Sequence, residues 1–105
     1  MKKTLVFMGA MFLTSLAFAA TVWIDVRTAE EYAQDHINGD PRISYEEIVP
    51  GVQKMYPDKN TDIRLYCRSG RRAGVALNKL KEAGYTHVTN AGSIGDARKE
   101  RGLSR

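Results

Sequence analysis

The apolar positions of this chain come in short blocks, some β-rich runs and some helical stripes, separated by polar turns. Val22 to Val26 is apolar except for Asp25 and predicts a buried strand. Thr28 and Glu31 have the spacing of a capping box, so a short helix is expected from Thr28 to Asp35. His36-Ile37-Asn38-Gly39 reads as a turn. Asp40 to Ile43 can be only a short extended segment, because Pro41 confines it to a sheet edge or to irregular structure. Ser44 and Glu47 repeat the capping-box spacing and predict a second helix through Ile48 and Val49. Pro50-Gly51 is expected to break or re-set it before a further turn at Val52 to Met55. Pro57 to Thr61 is a polar loop, Ile63 to Cys67 the next strand, and Arg68 to Arg72 a basic loop containing a glycine. Ala73, Ala76, Leu77, Leu80 and Ala83 then form one apolar stripe, and Gly84 stands where a C-terminal cap belongs. His87 to Asn90 predicts a last strand, Ala97 to Arg101 a helical segment, and Gly102 to Arg105 a frayed tail.

Strands alternating with helices at this spacing mean βαβ units. The expected fold class is therefore α/β, a small three-layer domain with a mostly parallel sheet flanked by helices. Ligands of such sheets bind beyond the carboxyl ends of the strands. Cys67 ends a strand there and opens the loop into the clearest helix.

The first nineteen residues stand apart from this pattern. Lys2 and Lys3 precede a twelve-residue apolar core from Leu5 to Leu16, and Ala17-Phe18-Ala19 supplies a small-x-small cleavage pattern. A spanning helix needs roughly 20 apolar residues, and this run is shorter and contains Gly9, Thr14 and Ser15. Residues 1–19 therefore read as a signal peptide and 20–105 as one domain, exported to the periplasm and not membrane-bound after cleavage. With Lys2 and Lys3 gone, the formal charge of +4 becomes +2, which argues little for nucleic acid or membrane binding. Cys67 is the only cysteine, so no internal disulfide can form and a lone thiol in an oxidising compartment needs a use.

The loop Cys67-Arg68-Ser69-Gly70-Arg71-Arg72 supplies that use. A short loop wrapping into a helix N-terminus turns backbone N–H groups toward one point and makes an anion-binding nest. Gly70 permits the positive φ such a turn requires. Three arginines add positive potential, and no acidic residue lies between Asp62 and Glu82. A thiol in that field, expected to be only partly buried at the sheet's carboxyl edge, favours its nucleophilic thiolate form. Cys67 is the candidate nucleophile, and Arg68, Ser69, Gly70, Arg71 and Arg72 are the candidate residues for binding an anionic substrate, with Arg72 also placed to hold the loop.

At these residues the sequence resembles the rhodanese family, and within it the exported single-domain kind. The resemblance runs through Ile24-Asp25-Val26-Arg27 with Glu31-Tyr32, His36-Ile37-x-Gly39, the Cys67–Arg72 loop, Ala83-Gly84-Tyr85 and Val88-x-Asn90-Ala91-Gly92. It implies sulfur transfer from an anionic donor such as thiosulfate to a thiophilic acceptor, cyanide or a thiol, through a Cys67 persulfide. It implies no metal or organic cofactor, and a monomer is expected. The chain departs from the family where Asp40 to Ser44 replace Ala and an Asn-Ile-Pro-like strand end. It departs again at Ser93, where the family has a second glycine, and its opening edge strand is expected to be missing.

Other chemistry is less well supported by the residues. A cysteine phosphatase or arsenate reductase needs Cys-x5-Arg to clamp a tetrahedral oxyanion, and the sixth residue after Cys67 is Ala73. His36 and His87 with one cysteine do not make a zinc site. Asp25, Arg27 and Glu31 read as framework contacts, with an Arg–Glu pair at the helix start, and His36 as a turn-packing residue. Tyr56, Tyr66 and Trp23 read as core or pocket wall, not as stacking platforms for nucleic acid. A second function stays open: a non-catalytic persulfide carrier or anion-binding module that docks on a partner protein.

Overall fold

In the computed structural model, which describes residues 20–104, the chain alternates strand and helix as its pattern predicts. The segment read as a signal peptide, residues 1–19, lies outside the described residues. Strand β1 (Val22–Asp25) leads through helix α1 (Ala29–Gln34) and a 3-10 turn (Tyr45–Glu47) to helix α2 (Ile48–Met55). Strand β2 (Ile63–Cys67), helix α3 (Arg71–Glu82), strand β3 (Val88–Ser93) and helix α4 (Ile94–Glu100) follow. Among the described residues the three strands form one parallel sheet in the order β1-β2-β3, with Ile63 opposite both Val22 and Val88.

Strand alternation decides which side of the sheet each residue serves. Val22, Ile24, Ile63, Leu65 and Cys67 face one way, into a core with Ile48 and Val52 of α2 and Ala73, Ala76 and Leu80 of α3. Trp23 and Tyr66 face the other way, against Ala97 and Ile94 of α4 and Ile37. Helices thus cover both faces, and the three-layer expectation holds. Ile24, Ile63, Leu65 and Leu80 are fully buried, each burial contributing about 1.5–3 kcal/mol relative to exposure.

Several local expectations are corrected. Pro50 does not break α2, which runs without interruption from Ile48 to Met55. Proline there falls in the first turn, where backbone N–H groups lack helical partners and its missing donor costs nothing. Gly51 is a packing residue, since a Cβ there would lie 2.7 Å from Cγ2 of Ile43. Ser44 caps a 3-10 turn and not an α-helix, accepting from Glu46 N at 3.2 Å. The last helix begins at Ile94, earlier than Ala97, because Ser93 caps it: Asp96 N donates to Ser93 Oγ and Ser93 N to Asp96 Oδ2, both at 3.0 Å. Strand β3 reaches to Ser93, past Asn90, with a register shift that leaves Ala91 unpaired between Leu65/Asn90 and Tyr66/Gly92. The segment at Pro41 is an edge contact, as expected, limited to a bridge between Asp25 and Arg42. Pro41 contributes its carbonyl to Asp25 N at 3.0 Å, and Ile43 N donates to Asp25 O at 3.0 Å.

Candidate active site

Cys67 is the last residue of the central strand, and the chain turns through Arg68, Ser69 and Gly70 into α3. Gly70 is the N-cap, with φ of 96°. An L-side chain is strained in that conformation, and glycine is not. The turn points the Gly70 amide back at the cysteine, where N donates to Sγ at 2.9 Å. A second tether fixes the same glycine from the neighbouring strand. Asn90 Nδ2 donates to Gly70 O at 2.9 Å, while Asn90 Oδ1 accepts from Gly92 N at 2.8 Å. The sulfur therefore sits in a loop held both by α3 and by the end of β3.

The sequence suggested a thiol only partly buried at the sheet edge, and the structure corrects this: Cys67 is 0% exposed. Its parity in β2 is that of Ile63 and Leu65, so its side chain belongs to the core beneath α3. The surrounding loop is open by contrast, with Arg68, Ser69 and Arg71 exposed. Arg72 differs from the other two arginines. Its Nη1 and Nη2 reach Glu31 Oε1 and Oε2 at 2.9 and 3.0 Å, a bidentate pair that ties the start of α3 to α1. The hydrogen bonds donated by that guanidinium are the main cause that pulls the Glu31 carboxyl from 4.5 down to about 2, with the Thr28 amide adding to them against an opposing effect of burial.

The sequence reading paired Arg27 with Glu31 at the helix start. In the structure Arg27 instead turns back on buried Asp25, with Nε to Oδ1 and Nη2 to Oδ2 both at 2.9 Å. Asp25 is 0% exposed, and this pair neutralises a charge that burial would otherwise penalise heavily. Arg27 Nη2 also donates to the carbonyl of Asp35 at 2.5 Å. His36 is a packing residue as expected, stacked on Tyr32 at 4.1 Å with Nδ1 2.9 Å from Tyr32 O. Tyr66, read as core or pocket wall, is fully buried on the face opposite the cysteine and donates to Asp40 Oδ2 at 2.6 Å. Burial first, and then that bond, push its hydroxyl far above the ordinary tyrosine range.

The structure gathers Cys67, Arg68, Ser69, Gly70, Arg71 and Arg72 in one place, as the sequence suggested. It adds Glu31, Gln34, Asp35 and Asn90 around them, none of which the sequence pointed to as site residues. Asn90 and Gly92 were visible as a motif, but their bond to a loop about twenty positions away carries no local signal. Among the described residues no cluster of three or more His, Cys, Asp or Glu side chains stands where it could hold a metal ion.

A parallel α/β domain whose central strand ends in a cysteine, cradled by a loop that becomes a helix, is a scaffold for nucleophilic sulfur chemistry. The comparisons with known proteins make the class definite. A model of the rhodanese-like domain matches residues 12–93, and the chain belongs to that family. It is 42% identical over 95 residues to the thiosulfate sulfurtransferase PspE of Escherichia coli (strain K12), covering 90% of each chain. A solved rhodanese with anions from E. coli superposes with a TM-score of 0.70 at 44% identity, covering 73% of this chain and 91% of that one. The rhodanese-like domain of the Alr3790 protein from Anabaena sp. superposes with a TM-score of 0.72 over 98% of this chain and 96% of its own. At 23% identity, that second likeness speaks for the fold alone.

Proposed function

We propose that this chain is a rhodanese-type thiosulfate sulfurtransferase that carries sulfur on Cys67. One observation carries the assignment of the nucleophile: Cys67 ends the central strand with the Gly70 amide 2.9 Å from its sulfur. The Cys67 thiolate attacks the outer sulfur of thiosulfate, the bond between the two donor sulfurs breaks, and sulfite leaves with the electron pair. Cys67 is left as a persulfide, with the Gly70 N–H placed to support its sulfur. Cyanide or a thiolate then attacks the terminal sulfur, the persulfide S–S bond breaks, and its electrons return to Sγ. With cyanide the products are sulfite and thiocyanate, and the charges balance. Arg68 and Arg71, exposed at the loop, draw the anionic donor, whereas Ser69 and Gly70 shape its seat. Arg72, engaged by Glu31, holds the loop. No metal or organic cofactor takes part, and the protein works as a monomer.

Residues 1–19 serve as a cleaved signal peptide that delivers the remaining domain to the periplasm. The basic start, the short apolar core and Ala17-Phe18-Ala19 support this. Among the described residues no helix is long and apolar enough to cross a membrane.

Intact mass tests both parts at once. Protein recovered after export should begin at Ala20, and thiosulfate should add one sulfur atom to it. Cys67→Ser should abolish that gain and all thiocyanate production while keeping the wild-type circular dichroism spectrum, because a hydroxyl forms no persulfide. Turnover retained in the serine variant would sink the mechanism. Sulfur loading without turnover to cyanide would favour a carrier over an enzyme.

A further inference from the structure

Beside the active-site loop lies a cleft of about 360 Å³ lined by Arg27, Glu31, Gln34, Asp35 and Arg68. Its place follows from the sheet. Asp25 lies opposite Tyr66, and Val26 N donates to Tyr66 O at 2.9 Å, so Arg27 leaves β1 at the edge where Cys67 leaves β2. Helix α1 supplies one wall, and Arg68, the residue after the cysteine, supplies another.

Three of the four charged residues in the lining are already matched. Arg27 pairs with Asp25, Glu31 with both terminal nitrogens of Arg72, and Asp35 with both terminal nitrogens of Arg98. Gln34 and Arg68 are exposed, and their side chains make no hydrogen bond or ion pair with another described residue. What the cleft offers an incoming molecule is one guanidinium and one carboxamide, beside carboxylates already held by arginine forks. That combination fits a carboxylate, which accepts from both groups. The volume is at the low end of the roughly 300–1,000 Å³ typical of small-molecule sites, yet far larger than cyanide needs.

We propose that this cleft is the acceptor subsite and selects small thiols that carry a carboxylate, held by Arg68 and Gln34 with the sulfur directed at loaded Cys67. The inference rests on the sulfurtransferase reading above. The acceptor thiol loses its proton to solvent, and its thiolate attacks the terminal persulfide sulfur. The persulfide bond breaks toward Cys67, and the acceptor leaves as an organic persulfide.

The test uses the exported protein with thiosulfate as donor and three acceptors: 3-mercaptopropionate, 2-mercaptoethanol and cysteamine. The quantity read is the ratio of kcat/KM for 3-mercaptopropionate to that for 2-mercaptoethanol, compared between variants so that intrinsic thiol reactivity cancels. Gln34→Ala and Arg68→Ala should each lower that ratio about fivefold, equivalent to about 1 kcal/mol. Gln34→Glu should lower it further and raise the relative use of cysteamine. Turnover of cyanide with a ratio unchanged in all three variants would overturn the subsite and leave the parent reading standing. No turnover of cyanide and no sulfur gained by Cys67 would overturn both.

Discussion

Gly70 concentrates more of the site's geometry than any arginine around it. Its amide donates to the cysteine sulfur, its carbonyl accepts from both Asn90 and Gly74, and its φ of 96° is what lets one residue do this. An alanine Cβ would also meet Gly92 Cα at 3.4 Å. Gly70→Ala should therefore cost about 1–2 kcal/mol of backbone strain and slow sulfur loading from thiosulfate. Gly84, with a φ of 101° at the far end of α3, is the matched control. Gly84→Ala should lower the thermal midpoint similarly yet load sulfur at the wild-type rate; equal loading by both variants would show that Gly70 is only a turn. The glycine, the cysteine and the basic loop were all legible, because each is a local requirement of a strand turning into a helix. The burial of Cys67 follows from its parity with Ile63 and Leu65, which the sequence carried but its position at a strand end obscured. The partner of Arg72 was not legible, since Glu31 is 41 positions away and only the fold brings them together.

Helix α1 is held differently from its neighbours. It contains no fully buried residue, and beside the stacking of Tyr32 on His36 it is anchored by arginine–carboxylate forks at Glu31 and just past its end at Asp35. The side chains of Arg72 and Glu31 are 18% and 25% exposed, which keeps their pair at about 1 kcal/mol. The Glu31 carboxyl titrates lower in the folded protein, about 2 against 4.5, so its contribution is full above the unfolded value and fades as pH falls toward 2. Urea titrations of wild type and Glu31→Gln should therefore differ by a constant amount at neutral pH and converge in acid. A difference that persisted to pH 2 would mean the carboxylate is not the source. Elements with strong periodicity, such as α3 with its apolar stripe and Gly84, could be read directly. The start of α4 escaped because its capping residues, Ser93 and Asp96, lie in what looked like a turn after β3. Pro50 misled because a proline in a first turn and one that ends a helix look alike until the helix start is known.

On the scale of the whole molecule, α4 ties the sheet to the segments that follow β1. Arg98 pairs with Asp35, Arg101 with Asp40, and Glu100 with Arg64. Trp23 lies against the guanidinium groups of Arg64 and Arg101, at 5.0 and 4.4 Å from its ring centre. Asp40, where the family resemblance expects alanine, thus answers both Arg101 and the buried Tyr66 hydroxyl. The departure is a cross-brace, and only the three-dimensional structure shows why it is tolerated beside Pro41. Asp40→Ala should cost about 2 kcal/mol by leaving a buried hydroxyl and a guanidinium without their acceptor. For a domain this small, that lowers the thermal midpoint by about 8–16 °C; a fall of only a degree or two would show the brace to be dispensable. The same brace sets an order of events during synthesis. Asp35 and Asp40 are made long before Arg98 and Arg101, 63 and 61 positions downstream, so a growing chain lacks the pairs that close this side of the sheet. For a chain exported unfolded, as proposed above, that arrangement would delay closure until the last helix had followed the rest across.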